Sequence, residues 1–180
     1  SATEYHERGS LASSRNASLG AAAIASAVAD AARGAHALHE VGVAHRDIKP
    51  SNVLLGDQGA VLSDLGLAQL LSRGATLTGM GPIGTLAFME PGVARGEEAS
   101  RASDIWSLAA TLLTALTGQG PFPNLPTDNL IQALTHLLRE RPVIPRAIDP
   151  RLHRLIVASL DPDRAARPAT AAANASPRWA

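Results

Sequence analysis

The sequence predicts a mainly α-helical fold with one small β-hairpin region. Several long segments place apolar residues three and four positions apart, which is the spacing of a helix face, whereas short runs rich in Val and Leu occur around residues 53–62. Of the 180 residues, 46% are hydrophobic, so the chain can bury the core of one ordinary domain.

The first predicted helix runs from Leu19 towards Gly42, a glycine placed to end it. Two histidines on this helix, His36 and His39, lie three residues apart and raise the possibility of a metal site. We find no carboxylate or cysteine placed to complete a ligand set, so we interpret both as ordinary helix residues. The apolar face of the helix consists of Ile24, Val28, Ala31, Ala35 and Leu38.

The hairpin is predicted at residues 53–62, where two apolar runs are joined through the turn-forming sequence G-D-Q-G. The loop before it carries an acid, a cation and an amide at Asp47, Lys49 and Asn52, and the hairpin ends at a second acid, Asp64. This arrangement can bring the side chains into one small volume. They would supply a proton acceptor, a cation for phosphate and oxygen ligands for Mg²⁺, the groups that phosphoryl transfer needs.

The second half of the chain predicts further helices. One of them is apolar on nearly all sides, which indicates a buried position. Residues 66–89, rich in Gly, Ser and Thr, have little periodicity, and a loop of that length in a compact domain is usually functional or disordered. The predicted boundaries are Ser103 and Asp104 to Gly118, a start at Thr127 or Asp128, a start at Asp149 with Pro150, and a last short helix at residues 169–175.

Composition excludes several classes of protein. The chain has 16 Lys and Arg residues and 16 Asp and Glu residues. It therefore lacks the excess of basic residues that binding to nucleic acid needs. With no cysteine there are no disulfides, which fits a reducing compartment such as the cytoplasm. No run is long and apolar enough for a membrane span or a signal peptide. Because the chain begins at Ser1 rather than at a methionine, we expect a fragment of a longer protein.

The motifs of this chain resemble those of the protein kinases. H-R-D-I-K-P-S-N at 45–52 resembles the catalytic loop H-R-D-x-K-x-x-N, and D-L-G at 64–66 resembles the D-F-G turn. G-T-L-A-F-M-E-P at 84–91 resembles G-T-x-x-Y-M-A-P, and S-D-I-W-S-L at 103–108 resembles S-D-V-W-S-L. Arg167 with Pro168 resembles the close of the family's larger lobe. These pieces occur in the family's order, and Lys49 is typical of the Ser/Thr kinases.

The resemblance implies a catalytic role for each of these residues. Asp47 would take the proton of the substrate hydroxyl, and Lys49 would neutralise the phosphate in transfer. Asn52 and Asp64 would hold Mg²⁺ and, through it, ATP. Thr85 would reach back to the catalytic acid and lysine. The expected cofactors are therefore ATP and Mg²⁺, and the expected partner is a protein substrate with Ser or Thr.

Further roles follow from the same resemblance. Arg46 would pair with a phosphorylated Thr76 or Thr78 in the activation segment. Asp104 would have a structural role, accepting backbone N–H groups of the catalytic loop. The start of the chain resembles the hinge between the two kinase lobes, which would place Thr3 as the gatekeeper and the backbone of Glu4 to His6 against the adenine.

The implied domain organisation is a kinase C-lobe. Residues 1–18 would be a hinge-like segment and the start of the C-lobe. Residues 19–180 would be the C-lobe, with the catalytic loop at 45–52, the activation segment at 64–92 and a helical subdomain at 101–175. No glycine-rich phosphate loop and no strand lysine precede the hinge, so we expect the parent protein to be a bacterial Ser/Thr kinase whose N-lobe lies outside this chain. The chain alone is expected to be inactive. Any membrane tether of the parent would also lie outside it.

Two departures from the family pattern affect these expectations. Leu65 replaces the usual Phe but keeps an apolar side chain. Gly92 stands where the family has the glutamate of A-P-E, which would pair with Arg167. Either Glu90 or Glu97 reaches Arg167 by another route, or the lobe is weakened, because breaking a buried ion pair costs about 3–5 kcal/mol.

An alternative function remains open. Gly92 and the missing N-lobe also fit a pseudokinase, or a truncated lobe that docks a partner protein in the groove flanked by residues 120–138. The two hypotheses differ in what precedes this chain in the parent gene: the enzyme needs a strand lysine and a glycine-rich loop there, whereas a stop or unrelated sequence would favour the docking lobe.

Overall fold

The computed structural model describes residues 9–13, 18–65 and 83–171. These residues form mostly helices and a two-stranded antiparallel sheet, as the sequence predicts. Three 3₁₀ helices, Pro50–Asn52, Ile83–Phe88 and Arg164–Ala166, connect the larger elements. The elements in chain order are α1 (Ala21–Glu40), β1 (Val53–Gly56), β2 (Gly59–Leu62), α2 (Pro91–Ala94), α3 (Arg101–Thr117), α4 (Leu130–Arg139) and α5 (Pro150–Ser159).

The core is centred on α1 and α3, which pack against each other. Helix α3 is buried continuously from Ser103 to Leu113, and Trp106 is its largest fully buried side chain. Helix α1 meets it with small residues, since Ala31, Ala32 and Ala35 have no exposed surface. Small side chains let two helix backbones approach closely, and this approach fixes the position of the loop that leaves the C-terminus of α1.

The N-terminus of α3 differs from the sequence prediction. The helix begins at Arg101, two residues before the predicted start, and its N-cap is Ser100. Ser103 belongs to a capping box, because its hydroxyl accepts a hydrogen bond from the Ser100 backbone N–H at 2.8 Å. Gly118 ends the helix in the left-handed conformation, as predicted.

The caps of the later helices agree only in part with the prediction. Helix α4 is capped by Asn129, whose side chain accepts from the backbone N–H of Gln132, and not by Thr127 or Asp128. The cap of α5 is Asp149, followed by Pro150, as predicted. Residues 169 and 170 do not form the expected last helix, and residues 172–175 lie outside the described part of the chain.

Helix α4 buries only part of its apolar face. Ala133 and Leu137 are fully buried, whereas Ile131 is 70% and Leu138 is 40% exposed. The predicted apolar stripe is therefore divided between the core and the surface.

The hairpin rests on α1. Val53 pairs with Leu62 and Gly56 with Gly59, so the two predicted runs form the expected hairpin. The Asp30 carboxylate on α1 accepts the Ala60 backbone N–H at 2.9 Å. A side chain at Gly59 would meet that carboxylate at 2.7 Å, so only glycine fits this turn. Residues 9–11 pair with β1 on its other side.

Among the residues that the structure describes, no helix is both long and apolar enough to cross a membrane. The hinge residues predicted from the sequence, Thr3, Glu4 and His6, lie outside the described residues, as do Thr76 and Thr78.

Candidate active site

The predicted catalytic loop is fastened to the first turn of α3 by Asp104. One oxygen of this carboxylate accepts the backbone N–H of His45 at 2.7 Å, and the other accepts that of Arg46 at 2.9 Å. His39 Nε2 lies 2.8 Å from the same carboxylate, and both side chains are only 1% exposed. A carboxylate buried this deeply is stable only when it is hydrogen-bonded, so these contacts fix the loop relative to the core.

The loop backbone is strained at Arg46, whose φ is +74°. Non-glycine residues rarely adopt this left-handed conformation, and such strain is concentrated at functional sites. The hydrogen bond from the Arg46 N–H to Asp104 holds it. Within the described residues, the buried Arg46 Nε has no hydrogen-bond partner.

Beyond Arg46 the loop brings Asp47, Lys49 and Asn52 together. Lys49 Nζ lies 2.9 Å from Asp47 Oδ2. The Asn52 amide nitrogen donates to the same oxygen at 2.9 Å and to the Asp47 carbonyl at 2.8 Å. The Asp47 carboxylate is 21% exposed, so it remains open to a substrate while two donors hold its orientation. The structure therefore assembles three of the residues that the sequence places in the catalytic machinery.

The hairpin brings Asp64 next to this cluster. The Ser63 backbone N–H and the Ser63 hydroxyl both donate to the Asn52 carbonyl, at 2.8 and 3.2 Å. Asp64 follows directly, with φ +56° and an exposed side chain that accepts from the Ser63 hydroxyl at 3.3 Å. Asp64 and Asn52 are thus joined through one residue across the end of the hairpin.

The oxygens of Asn52 and Asp64 fit a magnesium ion by their chemistry. With its amide nitrogen directed at Asp47, Asn52 has Oδ1 in no more than a long 3.4 Å contact from the Ser51 hydroxyl. The Asp64 carboxylate is exposed. Both are hard oxygen donors of the kind Mg²⁺ prefers, and Mg²⁺ commonly takes its remaining ligands from phosphates and water. Within the described residues, there is no group of three or more His, Cys, Asp or Glu side chains that could hold a metal ion.

His45 supports the loop from beneath. Its Nε2 lies 3.1 Å from the Ser63 carbonyl, and its Nδ1 accepts a long hydrogen bond from the Asp47 backbone N–H. Burial lowers the pKa of His45, which outweighs the opposite effect of the nearby Asp104 carboxylate and the Ser63 carbonyl. A neutral ring that donates from Nε2 and accepts at Nδ1 satisfies both contacts.

Thr85 lies in the 3₁₀ helix Ile83–Phe88, a regular element where the sequence predicts a loop. It shares the lining of a small cavity with Arg46 and Asp47, beneath the catalytic cluster. The segment is tied to α3, because the Ser107 hydroxyl donates to the Phe88 carbonyl at 2.8 Å.

Glu90 forms the ion pair with Arg167, one of the two routes that the sequence leaves open. Glu90 Oε1 lies 2.8 Å from Arg167 Nη1, and both side chains are almost fully buried. A second arginine, Arg164, donates to both Glu90 oxygens. Burial alone raises the pKa of Glu90, but the hydrogen bonds from Arg164 and Arg167 outweigh it, so its pKa lies below the ordinary value. Glu97 pairs with Arg164 at 3.4 Å rather than with Arg167.

The position of Gly92 is filled by these neighbours. A Cβ added there would lie 2.8 Å from Glu97 Oε2 and 3.1 Å from Arg164 Nη2. The acid has therefore moved two residues along the chain, and the space beside Gly92 is occupied by the pair that Glu97 and Arg164 form.

Three residues important to this geometry were missed by the sequence analysis. His39 contacts Asp104, and its burial could have been inferred because it follows Ala31 and Ala35 at four-residue spacing. The sequence offered one hint of a role for Arg164: the chain has an acid at position 90 and none at position 92, where the family has it. The tether through Ser63 depends on the hairpin register and has no sequence signal of its own.

Comparisons with known proteins agree with this geometry. The family described as Protein kinase domain matches residues 2–179. The chain is 34% identical over 138 residues to the probable serine/threonine-protein kinase PkwA of Thermomonospora curvata, which covers 77% of this chain and 18% of that protein. It is 34% identical over 137 residues to the serine/threonine-protein kinase PknB of Mycolicibacterium smegmatis, covering 74% of this chain and 21% of the relative.

A third relative, the serine/threonine-protein kinase PknK of Mycobacterium tuberculosis, is 42% identical over 96 residues, or 53% of this chain and 9% of its own length. The chain thus spans about a fifth or less of the length of these relatives. The match of the kinase motifs in order, the assembled catalytic loop and the family match over nearly the whole chain lead to one conclusion: this chain belongs to the protein kinase family.

Proposed function

We propose that this chain is the C-lobe of a Ser/Thr protein kinase that transfers the γ-phosphoryl group of ATP to a protein hydroxyl. The observation that carries the proposal is the cluster of Asp47, Lys49 and Asn52 within hydrogen-bonding distance. The Ser/Thr class is supported by the relatives, which are named serine/threonine-protein kinases.

In this proposal each side chain has one task. Asp47, held by Lys49 and Asn52, orients the acceptor hydroxyl and takes its proton at Oδ2 or Oδ1. Lys49 places positive charge beside the phosphate. Asn52 Oδ1 and the Asp64 carboxylate hold Mg²⁺, which neutralises phosphate charge when it is bound.

The remaining roles are proposals that follow from the family. Glu4 and His6 would face the adenine, Thr85 would contact the catalytic pair, and Arg46 would bind a phosphorylated Thr76 or Thr78. The buried Nε of Arg46, which has no hydrogen-bond partner among the described residues, supports the last assignment. We place the protein in the cytoplasm, because the proposed reaction uses ATP and a chain without cysteine fits a reducing compartment.

The proposal is tested by calorimetry of MgATP binding to the wild-type chain and to Asp64→Ala. We expect measurable binding that requires Mg²⁺ and is lost in Asp64→Ala, whereas Asp128→Ala, an exposed acid outside the cluster, binds as the wild type does. Magnesium-independent binding that survives Asp64→Ala would contradict the assignment.

A docking function is the second candidate. It is favoured by the exposed apolar side chains of α4 and the segment after it, Ile131, Leu138 and Val143. This function predicts no nucleotide binding by any variant, an outcome that is also expected if binding needs the N-lobe of the parent protein.

A further inference from the structure

A cavity of about 630 Å³ opens beside the catalytic loop. Lys49 and Ser51 form one side of it, and the C-terminal end of α3, residues 114–118, forms another. Its volume falls within the range of about 300–1,000 Å³ in which proteins bind ligands. Because it shares Lys49 with the catalytic cluster, the cavity lies within reach of the residues that flank a hydroxyl placed at Asp47.

More than half of the exposed wall of the cavity is apolar. Leu11, Ile24, Phe88 and Leu116 contribute hydrophobic surface. The threonines of α3 add little polarity, because their hydroxyls are already bonded within the helix. Thr114 donates to the Ala110 carbonyl at 2.7 Å, and Thr117 to the Leu113 carbonyl at 2.8 Å. An occupant gains from apolar contact here and finds few free hydrogen-bonding groups.

The charge of the cavity is one-sided. Among its lining residues in the described part of the chain, none is acidic, and Lys49 is the ionisable one. A lysine or arginine entering the cavity would find no carboxylate to pair with. It would also approach Lys49, whose ammonium already pairs with Asp47, so the nearest carboxylate outside the lining is engaged. Juxtaposed like charges suppress binding of the wrong partner.

We propose that this cavity selects the acceptor protein: it binds the segment flanking the target Ser or Thr through apolar side chains and rejects flanking Lys or Arg. The inference rests on the proposed function, since the occupant is its substrate. It adds the chemical class of sequence that this kinase modifies. Continuity of the cavity with Lys49 and its lack of acid identify the occupant.

The test uses fluorescent peptides of equal length that carry a central serine with leucine, lysine or glycine at the flanking positions. Their binding to the 180-residue chain is measured by anisotropy. We expect the leucine peptide to bind at least about tenfold more tightly than the lysine peptide, a difference that one well-placed apolar contact can produce. The glycine peptide lies between them.

Two matched variants locate the effect. Thr114→Glu places a carboxylate in the cavity, and we expect it to reverse the preference in favour of the lysine peptide. Thr135→Glu is the control, because Thr135 makes the same hydrogen bond to a carbonyl one turn back, from an exposed position on α4. It should leave the wild-type preference unchanged.

The outcomes separate the two proposals. Equal binding of the three peptides, no peptide binding, or a preference that Thr114→Glu does not alter overturns the inference; the first two are expected if another segment of this chain fills the cavity. Magnesium-dependent nucleotide binding measured on the same samples reports on the proposed function independently. Nucleotide binding without peptide discrimination would therefore reject the substrate class and leave the kinase assignment in place.

Discussion

Two buried carboxylates hold the two halves of the site, and they do so in different ways. Asp104 is 1% exposed and accepts backbone N–H groups of the catalytic loop. Glu90 is 3% exposed and is bound by the guanidinium groups of Arg164 and Arg167. The first acid stands where the family pattern places it, whereas the second stands two residues before the vacant position at Gly92.

The difference shows which buried acids can occupy another position in the sequence and still reach their partners. Two consecutive backbone N–H groups are fixed in space, and a one-residue shift along α3 would rotate the carboxylate by about 100° away from them. Arginine side chains are long and can follow an acid that moves. An acid that binds backbone is therefore tied to its position, and an acid that binds arginine is not.

The largest expected effect comes from Asp104→Asn. The substitution keeps the shape but turns an NH₂ group towards at least one backbone N–H and removes the charge beside His39, so we expect a loss of about 3–5 kcal/mol in unfolding free energy. Urea denaturation measures it. Asp128→Asn, at an exposed site, should change stability by less than about 0.5 kcal/mol.

Moving the carboxylate of Asp104 by one residue tests whether the backbone N–H groups fix its position. Moving the carboxylate from 104 to 103, by Ser103→Asp with Asp104→Ser, should recover none of the lost stability. Recovery to within about 1 kcal/mol of the wild type, on the scale of a single net hydrogen bond, would show that the position is not fixed by the backbone.

Glu90→Ala should lower the unfolding free energy by about 2–4 kcal/mol, less than Asp104→Asn does, because Arg167 keeps other acceptors when the carboxylate is lost. Those acceptors are the carbonyls of Asp161 and Ala102, at 2.7 and 2.9 Å. Returning the acid to position 92 in Glu90→Ala/Gly92→Glu should not help, because Glu97 and Arg164 occupy that space.

Adding Glu97→Ala to that double variant should restore part of the stability, since it removes the occupant nearest Gly92. Thermal melts of the three variants measure this order. If the double variant already melts like the wild type, the space at Gly92 is not closed.

Arg167 and Arg164 should contribute differently to the stability of the chain. Arg167 is 1% exposed, bonds to carbonyls and lies 5.1 Å from the Trp106 ring centroid, whereas Arg164 is 29% exposed. We therefore expect Arg167→Met to destabilise the chain by about 3 kcal/mol and Arg164→Met by about 1 kcal/mol, as for buried and partly exposed pairs. Equal losses in urea denaturation would show that Glu90 depends on both arginines alike.

The smallest expected effect is the pH dependence of the stability that Glu90 contributes. Because the folded pKa of Glu90 is lowered, its contribution to stability is complete above the unfolded pKa of about 4.3 and is lost as pH falls through the lower folded value. The stability gap between wild type and Glu90→Gln should therefore narrow below about pH 4. A gap that stays constant from pH 7 to pH 3 would exclude an ionised Glu90.

The parts of the fold predicted from sequence are those governed by local patterns. The burial of α1 and α3, the presence of the hairpin and the caps Asp149 and Gly118 follow from periodicity and turn chemistry. The start of α3 and the cap of α4 were wrong by one or two residues, because several neighbouring Ser, Thr, Asp and Asn residues could each serve as a cap.

In the site, too, the features that could be predicted are those with a local sequence pattern. The positions of Asp47, Lys49 and Asn52 follow from spacing within one loop, and the contact of Asp104 with that loop is present as expected. The Glu90 pair could be stated only as one of several routes, because Arg164 lies 74 residues away in sequence and no local pattern connects the two.

The central claim is that Asn52 and Asp64 hold the metal of a phosphoryl-transfer site. The most direct test is NMR of the ¹⁵N-labelled chain with ATP, using Mn²⁺ as a paramagnetic substitute for Mg²⁺. We predict selective broadening of the amides of Asn52, Ser63 and Leu65, abolished in Asp64→Ala and reversed by excess Mg²⁺. Broadening centred on His36 and His39 instead, or none near Asn52, would contradict the account.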